Sequence, residues 1–413
     1  MNSRKSSPSF VPQTPAGLGE LVDRSLNYRT DPDGNVSPSD GPDIGLLVLL
    51  NDFVRASLET DLAPFLISRR TPRGRVLEDH EEPKFYTKTA EPNSASRASL
   101  ILANLRQAIL SSAAMLDPID RNAAQLLYAP HLRLVCDVFL CHPISARLNC
   151  NGSSAIDVIG LTLAELYNDF VAVFRRVFLA KRSSLSDELH NWRLSSKENV
   201  VNVHAYLDGQ FARPNSVTVL HLRLFHARER VNLVSASVED QHRDLGELKK
   251  CREVFLDRMR GKRALFTKEP GYVWSILPSL EGGYSLHVTL LFDTAALQKV
   301  LDDRRVEAEQ AGKVLQDHAD QIGAYWVKVG TRGRGNYLRA DQHTWLYDQD
   351  WVHGEVHAID FVRREKLKKT LGYLAMRRAL LRLKNEPKGE YFGMRNRKPR
   401  AQRQSVERRA KRG

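Results

Sequence analysis

The chain has 413 residues, with 62 Lys and Arg against 49 Asp and Glu, a formal net charge of +13 and a pI near 9.6. That length exceeds what one core usually organises, so about two domains with tails are expected. The cationic excess, gathered toward the C-terminus among aromatics and glycines, points to a polyanionic partner, nucleic acid first. No apolar run nears the roughly 20 residues of a bilayer span, and the N-terminus has Ser and Pro where a signal peptide needs an apolar stretch. The cysteines (Cys136, Cys141, Cys150, Cys251) show no Cys-x-x-Cys spacing, so buried free thiols are expected rather than zinc ligands or a disulfide framework. These features set aside a membrane protein and a secreted disulfide scaffold, and predict a cytoplasmic protein.

Residues 1–43 are rich in Ser, Pro, Asp, Gly and Asn and predict disorder. From Ile44 the apolar spacing turns helical. Leu49, Phe53 and Leu58 mark one segment, and Leu100, Ile101, Leu105, Ile109 and Met115 a second, with a polar loop over 69–92 between them. Helices are also predicted near 120–140 and 158–180, the latter presenting Leu163, Leu166, Tyr167, Phe170, Val173, Phe174 and Val177 as a stripe. Residues 44–205 are therefore expected to form a helical domain, turning polar over 183–199.

After Arg213-Pro214-Asn215 the period changes. Val217 to Phe225 is β-branched and bulky and predicts a strand. A charged helix over 244–260 comes next, then Tyr272 to Leu277 and Gly283 to Phe292 as two strands around a Gly282-Gly283 turn, an antiparallel hairpin. A helix over 294–322, a glycine-rich loop over 330–335, a strand over 354–361 and a basic helix over 364–383 complete the order. The fold class this predicts is α+β, a helical N-terminal domain followed over 206–394 by an antiparallel sheet with flanking helices. Residues 395–413 read as a basic, disordered tail acting as an electrostatic arm.

Three places carry chemistry. In the strand over 283–292 the alternation sets Ser285, His287 and Thr289 on one polar face and Tyr284, Leu286, Val288, Leu290 and Phe292 on the other. Around the glycine-rich loop stand Lys328, Arg332, Arg334 and Arg339, beside Tyr325, Trp326, Tyr337 and Trp345, a mixture suited to phosphate contacts and base stacking on single strands. Arg377 and Arg378 on the basic helix join that nucleic-acid-binding set. The loop lacks the Lys-Ser/Thr or acidic partner of a nucleotide fingerprint. His353, Glu355 and His357 alternate along a further predicted strand and form a second metal-capable set.

Several phrases in order, among them Leu127-Tyr128-Ala129-Pro130-His131-Leu132, Gly271-Tyr272-Val273-Trp274, Gly283-Tyr284-Ser285-Leu286-His287, Gly333-Arg334-Gly335-Asn336-Tyr337 and Gly372-Tyr373-Leu374, resemble the inovirus-type gene-two protein and YagK/YfjJ group. That group belongs to the HUH class of rolling-circle replication initiators, and the resemblance covers residues 100–395. It implies that paired strand histidines hold a divalent cation, Mg or Mn, over a scissile phosphate of single-stranded origin DNA while a tyrosine attacks it. By position His287 takes the second histidine, Ser285 stands where the first is expected, and Tyr373 is the implied nucleophile. Leu277 stands where an acidic ligand is expected. The resemblance thus implies a DNA-binding replication protein of a phage, plasmid or other mobile element, with DNA and host replication factors as partners. The alternative is a non-catalytic DNA-binding regulator with the same fold and a degenerate metal site.

Overall fold

The computed structural model describes residues 28–30, 36–38, 44–59, 63–64, 126–145 and 163–395, the last stretch without 213, 230, 234, 269, 313, 315, 344–346, 348–350 and 377–379. The helix expected over 100–115, Trp345, Arg377, Arg378 and the basic tail beyond Arg395 lie outside the described residues. The chain divides into two units, one drawing on described residues from 44 to 194 and from 380 to 385, the other on 28–38, 195–376 and 386–395. Two short strands, β1 (Tyr28–Thr30) and β2 (Val36–Pro38), pair antiparallel inside the segment expected to be disordered. Among the described residues no helix is long and apolar enough to cross a membrane.

The first unit contains α1 (Ile44–Glu59), β3 (Leu126–Tyr128), α2 (Pro130–Cys141), α3 (Leu163–Ala180) and the first part of α4 (Arg182–Phe211). Its core is aromatic. Phe170 of α3 stacks on Phe53 of α1 at 6.0 Å and takes the edge of Phe139 of α2 at 5.9 Å, geometries that add to the area buried. Asn51 Oδ1 meets His131 Nε2 at 2.9 Å inside this core. The unit is not all-helical: β3 pairs antiparallel with β9 (Leu381–Leu383), so the basic helix expected to run to residue 383 ends earlier and the chain returns here as a strand. The polar stretch 183–199 is helical, inside α4. Its apolar residues are sparse but spaced four apart, with Leu185 and Leu189, then Val203, Leu207 and Phe211 buried, enough for one contact line along a helix.

In the second unit the chain runs β4 (Ser216–Phe225), α5 (Val238–Met259), the one-turn α6 (Arg263–Phe266), β5 (Gly271–Ser279), β6 (Gly283–Asp293), α7 (Thr294–Gln310), α8 (His318–Tyr325), β7 (Asn336–Arg339), β8 (Gly354–His357), α9 (Phe361–Met376) and β10 (Phe392–Met394). The strands form an antiparallel sheet in the order β10-β5-β6-β4, and β7 and β8 share the outer edge of β4. The expected hairpin is β5–β6, with Ser279 opposite Gly283. Gly283 has φ +63°, and a Cβ there would lie 2.9 Å from Asp244 Oδ2, so the turn needs glycine. Ser237 caps α5 by accepting from Asp240 N–H at 3.1 Å. The single helix expected over 294–322 is two, because Gly312 at φ +61° closes α7 and Asp317 caps α8 through Ala319 N–H.

Register fixes which side chains share a face. Ser275, His287, Arg223 and Leu338 stand side by side across β5, β6, β4 and β7, whereas Ile276, Leu286, Leu224 and Tyr337 make the neighbouring row, pointing the other way. Helices α5, α7 and α8 cover the second face. Arg252 of α5 lies 4.1 Å from the Trp274 ring, and His318 of α8 meets Phe292 at 5.6 Å. Helix α9 covers the first face, where Ser275 Oγ donates to Leu374 O at 3.1 Å. The later part of α4 lies along α9, with Ser196, Asn199 and His204 bonded to carbonyls of Met376, Ala375 and Lys368.

Candidate nucleic-acid interface

The polar face over α9 is built by alternation alone. His221 and Arg223 of β4 and Ser285, His287 and Thr289 of β6 fall on one side, all almost fully buried. Thr289 Oγ1 and His221 Nδ1 are 2.8 Å apart. Arg223 stands directly opposite His287, and its Nε donates to Ser285 Oγ at 3.1 Å. Ser285 in turn donates to the carbonyl of Leu277, its register partner, at 3.3 Å.

These residues do not fit a divalent cation. The Ser285 hydroxyl has its donor and one acceptor site in use, Leu277 offers no carboxylate, and a permanent guanidinium sits beside His287 where a second positive charge would be repelled. Among the described residues no group of three His, Cys, Asp or Glu is placed to hold a metal ion. The second set does not assemble either. Strand β8 begins at Gly354, leaving His353 outside it, and Glu355 and His357 form an exposed pair at 3.8 Å.

Tyr373 lies on α9, the residue before the Leu374 carbonyl that Ser275 reaches, and is buried at 2 % exposure. At about 100° per residue it sits roughly 160° round the helix from Leu371, the buried residue that with Leu367 and Leu374 forms the apolar stripe. Its backbone is next to the polar face.

The glycine-rich loop builds a groove. After α8 the chain widens into a π-helical turn, Trp326–Gly330, a feature frequent at functional sites. Trp326 is fully buried and donates Nε1–H to Phe225 O at 2.9 Å, so it anchors the turn and is not a stacking platform. Thr331 locks the loop onto that turn: its hydroxyl donates to Val327 O at 2.8 Å and accepts from Gly335 N–H at 2.8 Å. A Cβ on Gly335 would lie 2.3 Å from the Phe225 carbonyl oxygen. Arg332 at the loop tip holds a left-handed backbone, φ +55°, which a non-glycine residue adopts at a cost.

The groove encloses about 730 Å³, and its polar lining is Arg228, Lys328, Arg332, Asn336 and Tyr337, with no acidic residue. The three cations are exposed. The ring of Tyr337 fills the space that Gly323 leaves on α8, while its hydroxyl donates to Asp320 at 3.2 Å. Burial pushes that phenol's pKa upward, so it stays protonated.

The remaining predicted cations are placed differently. Arg339 is held by three carboxylates, Asp317 at 2.7 Å, Asp320 at 2.8 Å and Asp341 at 2.6 Å, and the Asp341 hydrogen bonds head the causes that push its pKa further up. It braces β7 against α8 and is not among the groove cations. Arg334 points to Glu247 at 3.8 Å. Arg228, which sequence reasoning missed, lies just past the end of β4, far along the chain from the loop. Tyr337 and His287 belong to rows on opposite faces of the sheet, so the groove's aromatic ring and the imidazole do not face one another. No family model, curated protein or solved structure matched the chain.

Proposed function

We propose that this protein binds single-stranded DNA through the groove at Arg228, Lys328, Arg332 and Tyr337, and does so without a metal and without cutting the strand. It is read as a DNA-binding regulator that shares sequence phrases with mobile-element replication initiators. The observation that carries this reading is the groove itself: three exposed cations in a lining that holds no acidic residue, with the Tyr337 ring beside a loop locked by Thr331. The ammonium and two guanidinium groups take successive phosphates and release counterions, while the accessible part of the Tyr337 ring offers a surface to a base. Backbone strain at Arg332 supports the assignment, since strain persists where a side chain must be held in position.

The nicking reading requires a metal over His287 and an attacking phenol from Tyr373, and the occupied Ser285 hydroxyl, the adjacent Arg223 and the burial of Tyr373 all weigh against it. The experiment is fluorescence anisotropy with a labelled single strand in EDTA, at several salt concentrations. Binding that weakens steeply with salt and collapses in the Arg228→Gln/Lys328→Gln/Arg332→Gln variant is the expected result. Binding that needs Mg or Mn, or that survives the triple substitution, overturns it. A covalent DNA adduct that vanishes in Tyr373→Phe would restore the nicking reading.

A further inference from the structure

On the His287 face of the sheet lies a cluster that the DNA-binding reading leaves unused. Arg223 is 1 % exposed, and beyond the bond from Nε to Ser285 its Nη1 has no hydrogen-bond partner. His221 is fully buried with Nε2 unpartnered, and Tyr347, 5 % exposed, has an unpartnered hydroxyl. The three belong to one group: the Tyr347 ring lies 5.5 Å from that of His221, Arg223 is the next residue along the same strand face, and Trp351 closes over both rings at 4.7 and 5.0 Å. Among the described residues no carboxylate pairs with Arg223.

A buried guanidinium without a counter-ion is among the more costly arrangements a fold can keep, and two orphaned polar atoms beside it compound the cost. What the cluster offers is uniform in sign. Arg223 can only donate. Tyr347, whose pKa burial pushes up to about 12, donates its O–H. His221, kept neutral because burial and then the neighbouring His353 and Arg223 charges push its pKa well down, donates from Nε2 when Thr289 donates to Nδ1. Three donors around one net positive charge complement a small anion with several acceptor oxygens.

We propose that Arg223, His221 and Tyr347 form an enclosed phosphate-binding site. In it the guanidinium supplies the positive charge that a divalent cation supplies in the class the sequence resembles. Enclosure selects the kind of phosphate. An internucleotide phosphate has two ester bonds that must both lead out, whereas inorganic phosphate, or a strand's terminal phosphate with one ester, can be surrounded on nearly all sides.

The test is thermal unfolding of the full chain in inorganic phosphate against chloride at equal ionic strength, with ³¹P line broadening of the same phosphate as an independent readout. The expected result is a saturable rise of a few degrees, with broadening. Tyr347→Phe keeps the ring and loses one donor, so the half-saturating phosphate concentration should rise about tenfold. Arg223→Gln should abolish both signals if it folds. Chloride acting as well as phosphate, no saturable response because water alone serves these atoms, or an unchanged response in Tyr347→Phe overturns the site. Competition by a 5′-phosphorylated oligonucleotide, but not by its 5′-hydroxyl twin, identifies a strand end as the source, and its absence identifies free phosphate. Groove binding is read from the 5′-hydroxyl strand, so the two proposals fail separately.

Discussion

Arg223 Nε donates to Ser285 Oγ at 3.1 Å, across two strands and 62 positions of sequence, and that contact governs what the polar face can become. Ser285→His creates a paired-histidine spelling around Leu286 but leaves the guanidinium in place. We expect no Mn²⁺-dependent rise in unfolding temperature and no strand cleavage, because the new imidazole meets a fixed positive charge before it meets a metal. Ser285→Ala leaves the buried Nε–H unpartnered and should cost about 1–3 kcal/mol in urea unfolding. Metal-dependent stabilisation of Ser285→His would show that Arg223 does not block the site.

The groove cations and Arg339 separate cleanly by two measurements. Lys328→Gln and Arg332→Gln should each reduce the slope of log affinity against log salt by about 0.7 and leave stability within roughly 0.5 kcal/mol. Arg339→Met leaves Asp317, Asp320 and Asp341 facing one another, and since these carboxylates are partly exposed the loss is moderated to about 2 kcal/mol. Its salt slope should stay unchanged. A flattened slope in Arg339→Met, with stability kept, would put that guanidinium on the nucleic acid.

How much the sequence could show depended on range. The β5–β6 hairpin was legible because Gly282-Gly283 and the alternation around it are local, and the groove was half legible because Lys328, Arg332 and Tyr337 lie within ten residues. Arg339 misled because two of its carboxylates, Asp317 and Asp320, come from the start of α8, and nothing local distinguishes a braced arginine from a free one. Arg228 and Arg223 were missed for the same reason. Arg223 acquires its neighbours through strand register, and a residue's row across a sheet cannot be read from one strand, while Arg228 meets the loop about a hundred positions away only through the fold. The strand β9 was hidden inside a basic helical pattern, since three residues, Leu381–Leu383, are too few for a period.

Arg332 offers a test of strain held for function. Its backbone at φ +55° costs an L-residue about 1 kcal/mol that glycine avoids. Arg332→Gly should therefore raise stability by about 0.5–1 kcal/mol while weakening DNA binding, so that the two quantities move in opposite directions. Equal or lower stability in Arg332→Gly would mean that the side chain packs for the fold, and that the left-handed tip is not a cost held for the ligand.

His318 gives the chain a specific acid response. Burial, followed by the nearby Arg304 charge, pushes its pKa down to about 4, and its ring lies against Phe292 at 5.6 Å. Between pH 6.5 and 4 the unfolded chain binds a proton at this residue that the folded chain refuses. Stability therefore falls as pH drops through that window and levels off below about 4. The fall due to this residue should be on the order of 2 kcal/mol, smaller than the full shift implies because the ring is not wholly enclosed. His318→Phe keeps the ring contact and removes the proton site. Subtracting its stability–pH curve from that of the parent should leave a slope confined to pH 4–6.5. A difference curve flat across that window would mean that the folded protein accepts the proton at His318 as readily as the unfolded chain does.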